Sequence, residues 1–285
     1  MYQMEQVLVK DHLPQLGEIP DPPKTLWIRG NLPPAGQKFL AVVGSRRHSS
    51  YGKEVCEKLI AGLTGHPISI ISGLALGIDS IAHRSALNAS LHTIAVPGSG
   101  LNDGVLYPRT HLGLAHEILK SGGALLSEFE PDMRATPYTF PQRNRIMAGL
   151  AHAVLLVEAG ERSGTLITAR LTSEFNRELL VVPGSIFSPN SAGVHQFLKL
   201  GATPITTSAD ILQALGFDIE AGNTISHEDL SDDERAVVEL LSVEPLDRDQ
   251  LIAKLGKNAS EVSILLSTLE LRGIITESLG LVRLL

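Results

Sequence analysis

Two segments of the chain cluster arginine beside glycine or proline in a way that suits anion binding. Gly44-Ser45-Arg46-Arg47 follows the apolar run Phe39–Val43, and Arg143-Asn144-Arg145 follows Phe140-Pro141-Gln142. An apolar β-branched run that stops at Gly-Ser-Arg reads as a buried strand opening into a loop of free backbone N–H groups. Those groups and the dipole of the helix that follows attract anions. Arginine adds a planar, permanently charged fork that matches phosphate oxygens. In the second segment Arg143, Asn144 and Arg145 are expected at a helix N-terminus, with the Phe140 ring placed either to stack a base or to pack in the core. Gly73-Leu74-Ala75-Leu76-Gly77-Ile78-Asp79 also follows a strand and opens a helix. Gly73 there permits close backbone approach, and Asp79 is expected to hold the loop rather than touch a ligand. Ser163-Gly164-Thr165 opens another helix and suits a phosphate or a cap.

Other chemistries lack their residues. Gly52-Lys53 resembles a phosphate-binding P-loop only superficially, because Gly44 is too distant and Glu54 stands where a serine or threonine is required. Gly98-Ser99-Gly100-Leu101-Asn102-Asp103-Gly104 misses the dinucleotide fingerprint by one residue, with no acidic residue ending a second strand. His111 and His116 fall on different helix faces, and the ten histidines show no metal-ligand spacing. No nucleophile elbow is present. Neither a catalytic set, a metal nor a cofactor is expected.

The 285 residues carry a formal charge of −7, which argues against a general basic coat for nucleic acid. From Glu228 onward there are 12 acidic and 6 basic residues, whereas the remainder has 19 and 18, so a polyanion site is expected within the first 227 residues. Hydrophobic residues make up 43% of the chain, enough for a sizeable core. No apolar run approaches the roughly 20 residues of a membrane span, and Met1–Lys10 lacks a signal-peptide core. The single cysteine, Cys56, reads as a core residue and fits a reducing cytoplasm.

The elements that position these loops follow from hydrophobic patterning. Residues 1–38 read as an extended, proline-rich lead-in with one strand at Thr25–Ile28. Strands are expected at Phe39–Val43, Ser69–Ser72, His92–Val96, Ala124–Ser127, Ala153–Val157, Leu179–Val182 and Thr203–Ile205. Most are continuous apolar runs, as in a parallel sheet buried on both faces. Helices are expected at Tyr51–Gly62, Ile78–Asn88, Thr110–Ser121, Arg143–Leu150, Thr165–Asn176 and Gly193–Leu200. The alternation predicts an α/β fold: a doubly wound, mostly parallel, extended Rossmann-like sheet over 39–217, whose ligands bind beyond the strand carboxyl ends. A linker is expected at 218–229. Within 230–285, Ser231 and Glu234 form a capping box, and three helices (Asp232–Ser242, Asp247–Leu255, Ala259–Arg272) precede a hairpin turning near Gly280. That small domain resembles a winged helix. Its third helix offers Glu261 and Glu270 rather than base-reading cations, so it is expected to contact protein or pack on its neighbour.

Taken in order, the motifs resemble the DNA processing protein A family (DprA, also called Smf). They are Ile19-Pro20-Asp21-Pro22-Pro23, Arg29-Gly30-Asn31, Val43-Gly44-Ser45-Arg46, Ser72-Gly73-Leu74-Ala75-Leu76-Gly77-Ile78-Asp79, His83-Arg84, Tyr107-Pro108, Leu126-Ser127-Glu128, the Phe140–Ile146 segment, Val157-Glu158-Ala159, Ser163–Arg170 and Pro183-Gly184-Ser185. The resemblance covers residues 12–217 and extends to the winged-helix tail. His111, His195 and Pro97 depart from the pattern, asparagine being expected at the two histidines. The resemblance implies a non-catalytic protein that binds and protects single-stranded DNA, helps load the RecA recombinase in natural transformation, and dimerises through the Rossmann-like domain. It makes Arg46 the principal phosphate ligand. Gly44, Ser45, Arg47, Gly73, Phe140, Arg143, Asn144, Arg145, Gly164 and Thr165 would line the strand path, with Arg109 as an additional basic contact. The alternative is a nucleotide-binding or nucleotide-cleaving enzyme of the same superfamily. Its glycine-rich loop corresponds here to Glu161-Arg162-Ser163-Gly164-Thr165, with no glutamate in the following helix until Glu174.

Overall fold

A computed structural model describes residues 4–218, 230–278 and 280–284. The chain divides into two compact units, Met1–Asp218 and Ile219–Leu285. The expected linker at 218–229 lies, apart from Asp218, outside the described residues.

The first unit is built on a nine-stranded sheet. In chain order its strands are β1 (Met4–Leu8), β2 (Thr25–Gly30), β3 (Lys38–Val43), β4 (Ile68–Ser72), β5 (His92–Ala95), β6 (Ala124–Ser127), β7 (Ala153–Leu156), β8 (Glu178–Val181) and β9 (Thr203–Pro204). Their spatial order is β1-β2-β6-β5-β4-β3-β7-β8-β9. From β6 to β9 all neighbours are parallel, while β2 runs antiparallel to both β6 and β1. The chain therefore steps outward from β3 to β6 and then crosses back to β7, beside β3. This makes β3/β7 the switch point, where a doubly wound sheet opens a crevice at its carboxyl end.

The period-2 strand pattern explains the layering. Phe39, Ala41 and Val43 of β3 join one core layer, and Leu40 and Val42 join the other. The first layer is closed by α5 (Thr139–Leu150), α6 (Thr165–Glu174) and α7 (Ala192–Lys199); the second by α2 (Ser50–Ala61), α3 (Ile78–Asn88) and α8 (Ser208–Ala214). Two further helices are α1 (Val9–His12), in the lead-in, and α4 (Leu112–Lys120), which covers the β5/β6 side. Cys56 is fully buried in the second layer, and burial pushes its thiol pKa up. Side chains such as Leu40, Ile70 and Ile94 are completely enclosed, each contributing about 1.5–3 kcal/mol of transfer free energy.

Two expectations about the elements need correction. The lead-in is not a separate extended segment, because β1 and β2 extend the same sheet. An isolated edge segment has no amphipathic signal of its own until β2 supplies its hydrogen bonds. Helix α5 begins at Thr139, four residues before Arg143, so the arginines lie one turn inside it. Pro141 is tolerated there because a first-turn residue needs no intrahelical N–H bond.

The second unit packs α9 (Asp232–Val243), α10 (Arg248–Leu255) and α11 (Ala259–Leu271) on a hairpin, β10 (Ile275–Ser278) and β11 (Leu281–Leu284). Each helix starts with a reciprocal capping box: Ser231/Glu234, Asp247/Gln250 and Asn258/Glu261. Leu246 adds a bridge to Val282, and Val237, Leu251, Val262, Leu269 and Val282 share a separate core. The exposed positions of α11 include Ser260, Glu261, Ile264, Ser267, Thr268 and Glu270, without a lysine or arginine among them.

Candidate nucleic-acid interface

A cavity of about 800 Å³ opens at the carboxyl ends of β3 and β7. Its β3–α2 wall is Gly44, Ser45, Arg46 and Arg47; its α5 wall holds Phe140, Arg143 and Asn144; the approach to α6 supplies Arg162, Ser163, Gly164 and Thr165. Arg46, Arg47 and Arg162 are exposed, and among the described residues none of the three makes an ion pair with a carboxylate. They are permanent cations facing a concave site.

The loop carrying Arg46 is fixed from below. The buried Glu158, just past β7, accepts from the Ser49 backbone N–H (3.0 Å) and from the Ser49 hydroxyl. Ser49 in turn caps α2 by accepting from the Gly52 N–H at 3.1 Å. Gly44 and Gly77 are required by close approach. A Cβ on Gly44 would lie 2.6 Å from Ile78, and one on Gly77, whose φ is +82°, would lie 2.2 Å from the Ser45 carbonyl. The β3–α2 and β4–α3 loops therefore interlock, and the Ile78 N–H donates to the Ser45 carbonyl at 3.2 Å. Thr165 adds a tie by donating its hydroxyl to the Gly44 carbonyl at 3.1 Å.

Above the loop, the Arg46 guanidinium sits over the Phe140 ring, 5.3 Å from its centroid. Phe140 also meets Tyr107, with centroids 5.8 Å apart at 55°, and a Cβ on Gly98 would lie 2.7 Å from its ring. The ring is thus a half-buried brace for a cation, in cation–π geometry.

Arg143 has another occupation. It is 5% exposed and donates through one guanidinium nitrogen to the carbonyls of Gly73 and Val96, and through Nε to the Asn144 side chain at 3.1 Å. Its charge faces Asp79, which is buried and accepts from the Gly73 N–H at 3.1 Å. Burial pulls the Arg143 pKa down to about 10, opposed by Asp79, so the guanidinium stays charged at neutral pH. Burial likewise raises the Asp79 carboxyl, opposed mainly by Arg143. Leu74, at φ +58°, has its carbonyl held by the His111 imidazole at 2.7 Å.

The family model described as DNA recombination-mediator protein A matches residues 7–216, and the DprA winged helix domain matches residues 224–280. The chain belongs to the DprA family. Among its relatives, Protein Smf of Escherichia coli (strain K12) is 45% identical over 206 residues, covering 72% of this chain and 54% of that protein. The chain thus spans about half of that relative's length. DNA processing protein DprA of Streptococcus pneumoniae is 41% identical over 202 residues, covering 71% of this chain and 70% of that protein. The X-ray structure of the S. pneumoniae protein matches with a TM-score of 0.69 at 37% identity, covering 76% of this chain and 75% of that one. DNA processing protein A of Helicobacter pylori, whose structure is described as revealing a unique single-stranded DNA binding mode, matches with a TM-score of 0.66 at 28% identity, covering 75% and 96%.

Of the residues expected to line a DprA-type strand path, the fold gathers Gly44, Ser45, Arg46, Arg47, Phe140, Arg143, Asn144, Gly164 and Thr165 around the cavity. Gly73 lies against an adjoining recess. Two of the expected residues lie elsewhere. Arg145 does not line the cavity: it pairs with Glu128 and donates to the Asp21 carbonyl at 2.6 Å, tying the lead-in to α5. Arg109 donates to the carbonyls of Asp103 (3.3 Å) and Gly104 (3.2 Å) and lines neither recess. Asp79 accepts from the Gly73 N–H as expected, and it also lines the cavity, where its carboxylate faces Arg143. Sequence reasoning missed Arg162 and Asn190 as lining residues. Arg162 was visible as a lone cation two residues before Gly164; Asn190 has no local signal, and it lies there because its amide donates to the Arg47 carbonyl at 3.2 Å. His111 and His195, which stand where the family pattern leads to asparagine, each donate to a loop carbonyl, as an asparagine amide can.

Proposed function

We propose that this chain binds single-stranded DNA across the β3/β7 crevice, Arg46, Arg47 and Arg162 neutralising successive phosphates. The observation that carries the reading is the set of three outward-facing arginines on one 800 Å³ concavity, with no carboxylate paired to any of them among the described residues. A flexible single strand can bend its phosphates into such a recess and splay its bases, which a stacked, paired duplex resists. The α11 surface supports the same choice, since it offers acidic and neutral side chains where a duplex-reading helix needs cations.

On this reading the chain is a binding protein rather than an enzyme. Glu158, the buried carboxylate nearest the loop, is engaged in capping Ser49 and holds no substrate-facing position. Membership of a recombination-mediator family supports a role in protecting the strand and handing it to the RecA recombinase, with the chain acting as a homodimer through its first unit in the cytoplasm. No helix among the described residues is long and apolar enough to cross a membrane.

The test is fluorescence anisotropy with labelled oligothymidine and a matched duplex over a salt series. Preference for the single strand, weakening with salt and lost in Arg46→Ala and Arg47→Ala/Arg162→Ala, is expected. Wild-type protein that ignores oligothymidine at low salt overturns the reading. The recombinase step is tested by whether the protein accelerates RecA assembly on strand already coated with a single-strand-binding protein.

A further inference from the structure

Arg46, Ala75, Phe140 and Arg143 line not one recess but two. Beyond the main cavity they also bound a small hollow of about 30 Å³, whose other walls are Gly73, Leu76, Tyr107 and Pro108. Leu76 and Tyr107 are each 49% exposed at its rim, an unusual pairing of large apolar side chains. Neither is needed for the core. Tyr107 meets Phe140 at a tilt, leaving the rest of its ring in solvent. The hollow is too small to swallow a base, but a base needs only a ring face to lie on.

We infer that Tyr107, flanked by Leu76 and Pro108, is a stacking platform for a nucleobase next to the phosphate held by Arg46. The inference rests on the single-strand reading above. The occupant follows from charge and chemistry: Arg46 supplies a cation at the wall common to both recesses, and an aromatic and an aliphatic surface lie beside it. A phosphodiester carries a negative charge with a flat π-surface on either side, and base–aromatic stacking tolerates any base. A phosphate on the shared wall sends one neighbouring base toward the large cavity and the other toward Tyr107. The platform therefore adds affinity that does not depend on salt, whereas the arginines supply the part that does.

Two oligomers of equal charge separate these contributions: labelled oligothymidine and an abasic deoxyribose-phosphate strand of the same length. Tyr107→Ala is expected to weaken oligothymidine binding by roughly 5- to 100-fold, with the slope of log affinity against log salt unchanged and abasic binding within about twofold of wild type. Tyr107→Phe, which keeps the ring, should retain nearly all affinity. Leu76→Ala, at an exposed position, should give a smaller loss on oligothymidine only. In Tyr107→Trp, indole emission above the wild-type background should be quenched by oligothymidine and not by the abasic strand, a readout independent of affinity. Equal losses on both strands, or an unquenched indole in a protein that binds, overturn the platform while leaving the phosphate site standing. Wild-type protein that binds neither strand overturns the single-strand reading itself.

Discussion

The guanidinium of Arg46 lies 5.3 Å from the centroid of Phe140, two residues far apart in sequence that meet over the mouth of one cavity. The contact holds a cation at a fixed point while leaving its N–H groups free for a phosphate. Arg46→Ala should therefore lower affinity for oligothymidine about 10- to 100-fold and reduce the salt slope by about 0.7. Phe140→Leu keeps the charge but removes the brace, and should cost about 2- to 5-fold without changing the slope. Anisotropy titrations from low to high salt measure both.

Arg143 and Arg145 make a contrasting pair with Arg46. Removing Arg143 alone strands the buried Asp79 carboxylate, so Arg143→Gln should destabilise the fold by about 3–5 kcal/mol in urea titrations. The neutral double variant Asp79→Asn/Arg143→Gln should recover part of that loss, giving a measurable coupling energy. Because Arg143 acts on the Gly73 and Val96 carbonyls, the double variant should bind DNA more weakly with an unchanged salt slope. Arg145→Ala, which breaks the contacts to Glu128 and Asp21, should likewise leave the slope unchanged. A drop of about 0.7 in either variant would assign a phosphate contact to that arginine.

Gly52 offers a test of the support beneath the loop. Replacing a helical glycine with alanine ordinarily stabilises by about 0.5–1 kcal/mol. Here an added Cβ would lie 2.4 Å from the Glu158 carboxyl, which is itself bonded to Ser49. Gly52→Ala should instead destabilise, by about 1–3 kcal/mol, and weaken DNA binding as the Ser45–Ser49 loop shifts. A Gly52→Ala protein that unfolds at higher urea than wild type contradicts this account.

His83 makes the fold sensitive to mild acid. It is fully buried, and its Nδ1 meets the Thr93 hydroxyl at 2.8 Å. Burial pushes its pKa down from 6.5 to about 3. Below pH 6.5 the unfolded chain takes up a proton that the folded protein refuses, so stability falls as pH falls through the window from 6.5 to 3. The slope contributed approaches about 1.4 kcal/mol per pH unit. Urea titrations between pH 7.5 and 5 should show a shallower decline in His83→Gln than in wild type, the difference widening toward pH 5. Parallel curves would mean that His83 takes up its proton equally readily in the folded and the unfolded chain.

The sequence by itself determined every strand of the large sheet except β1, most of the helices and the loops at their ends. Continuous apolar runs such as Leu40–Val43 suit a parallel sheet buried on both faces, and Gly44 and Gly73 mark where the backbone comes close to neighbouring side chains. The capping box at Ser231 was equally local, because a side chain and an N–H three residues away need no other partner. The concentration of arginine beside these loops was equally legible, since charge is a property of residue type. Tertiary structure alone decided which arginines line the cavity with their charge exposed. Arg143 reaches carbonyls 70 and 47 residues away, and Arg145 reaches one 124 residues away. Among the described residues Arg46, Arg47 and Arg162 form no ion pair with a carboxylate, and they stay exposed. A guanidinium turns toward whichever buried acceptors the finished fold leaves unsatisfied, and those acceptors exist only once strands distant in sequence have come together.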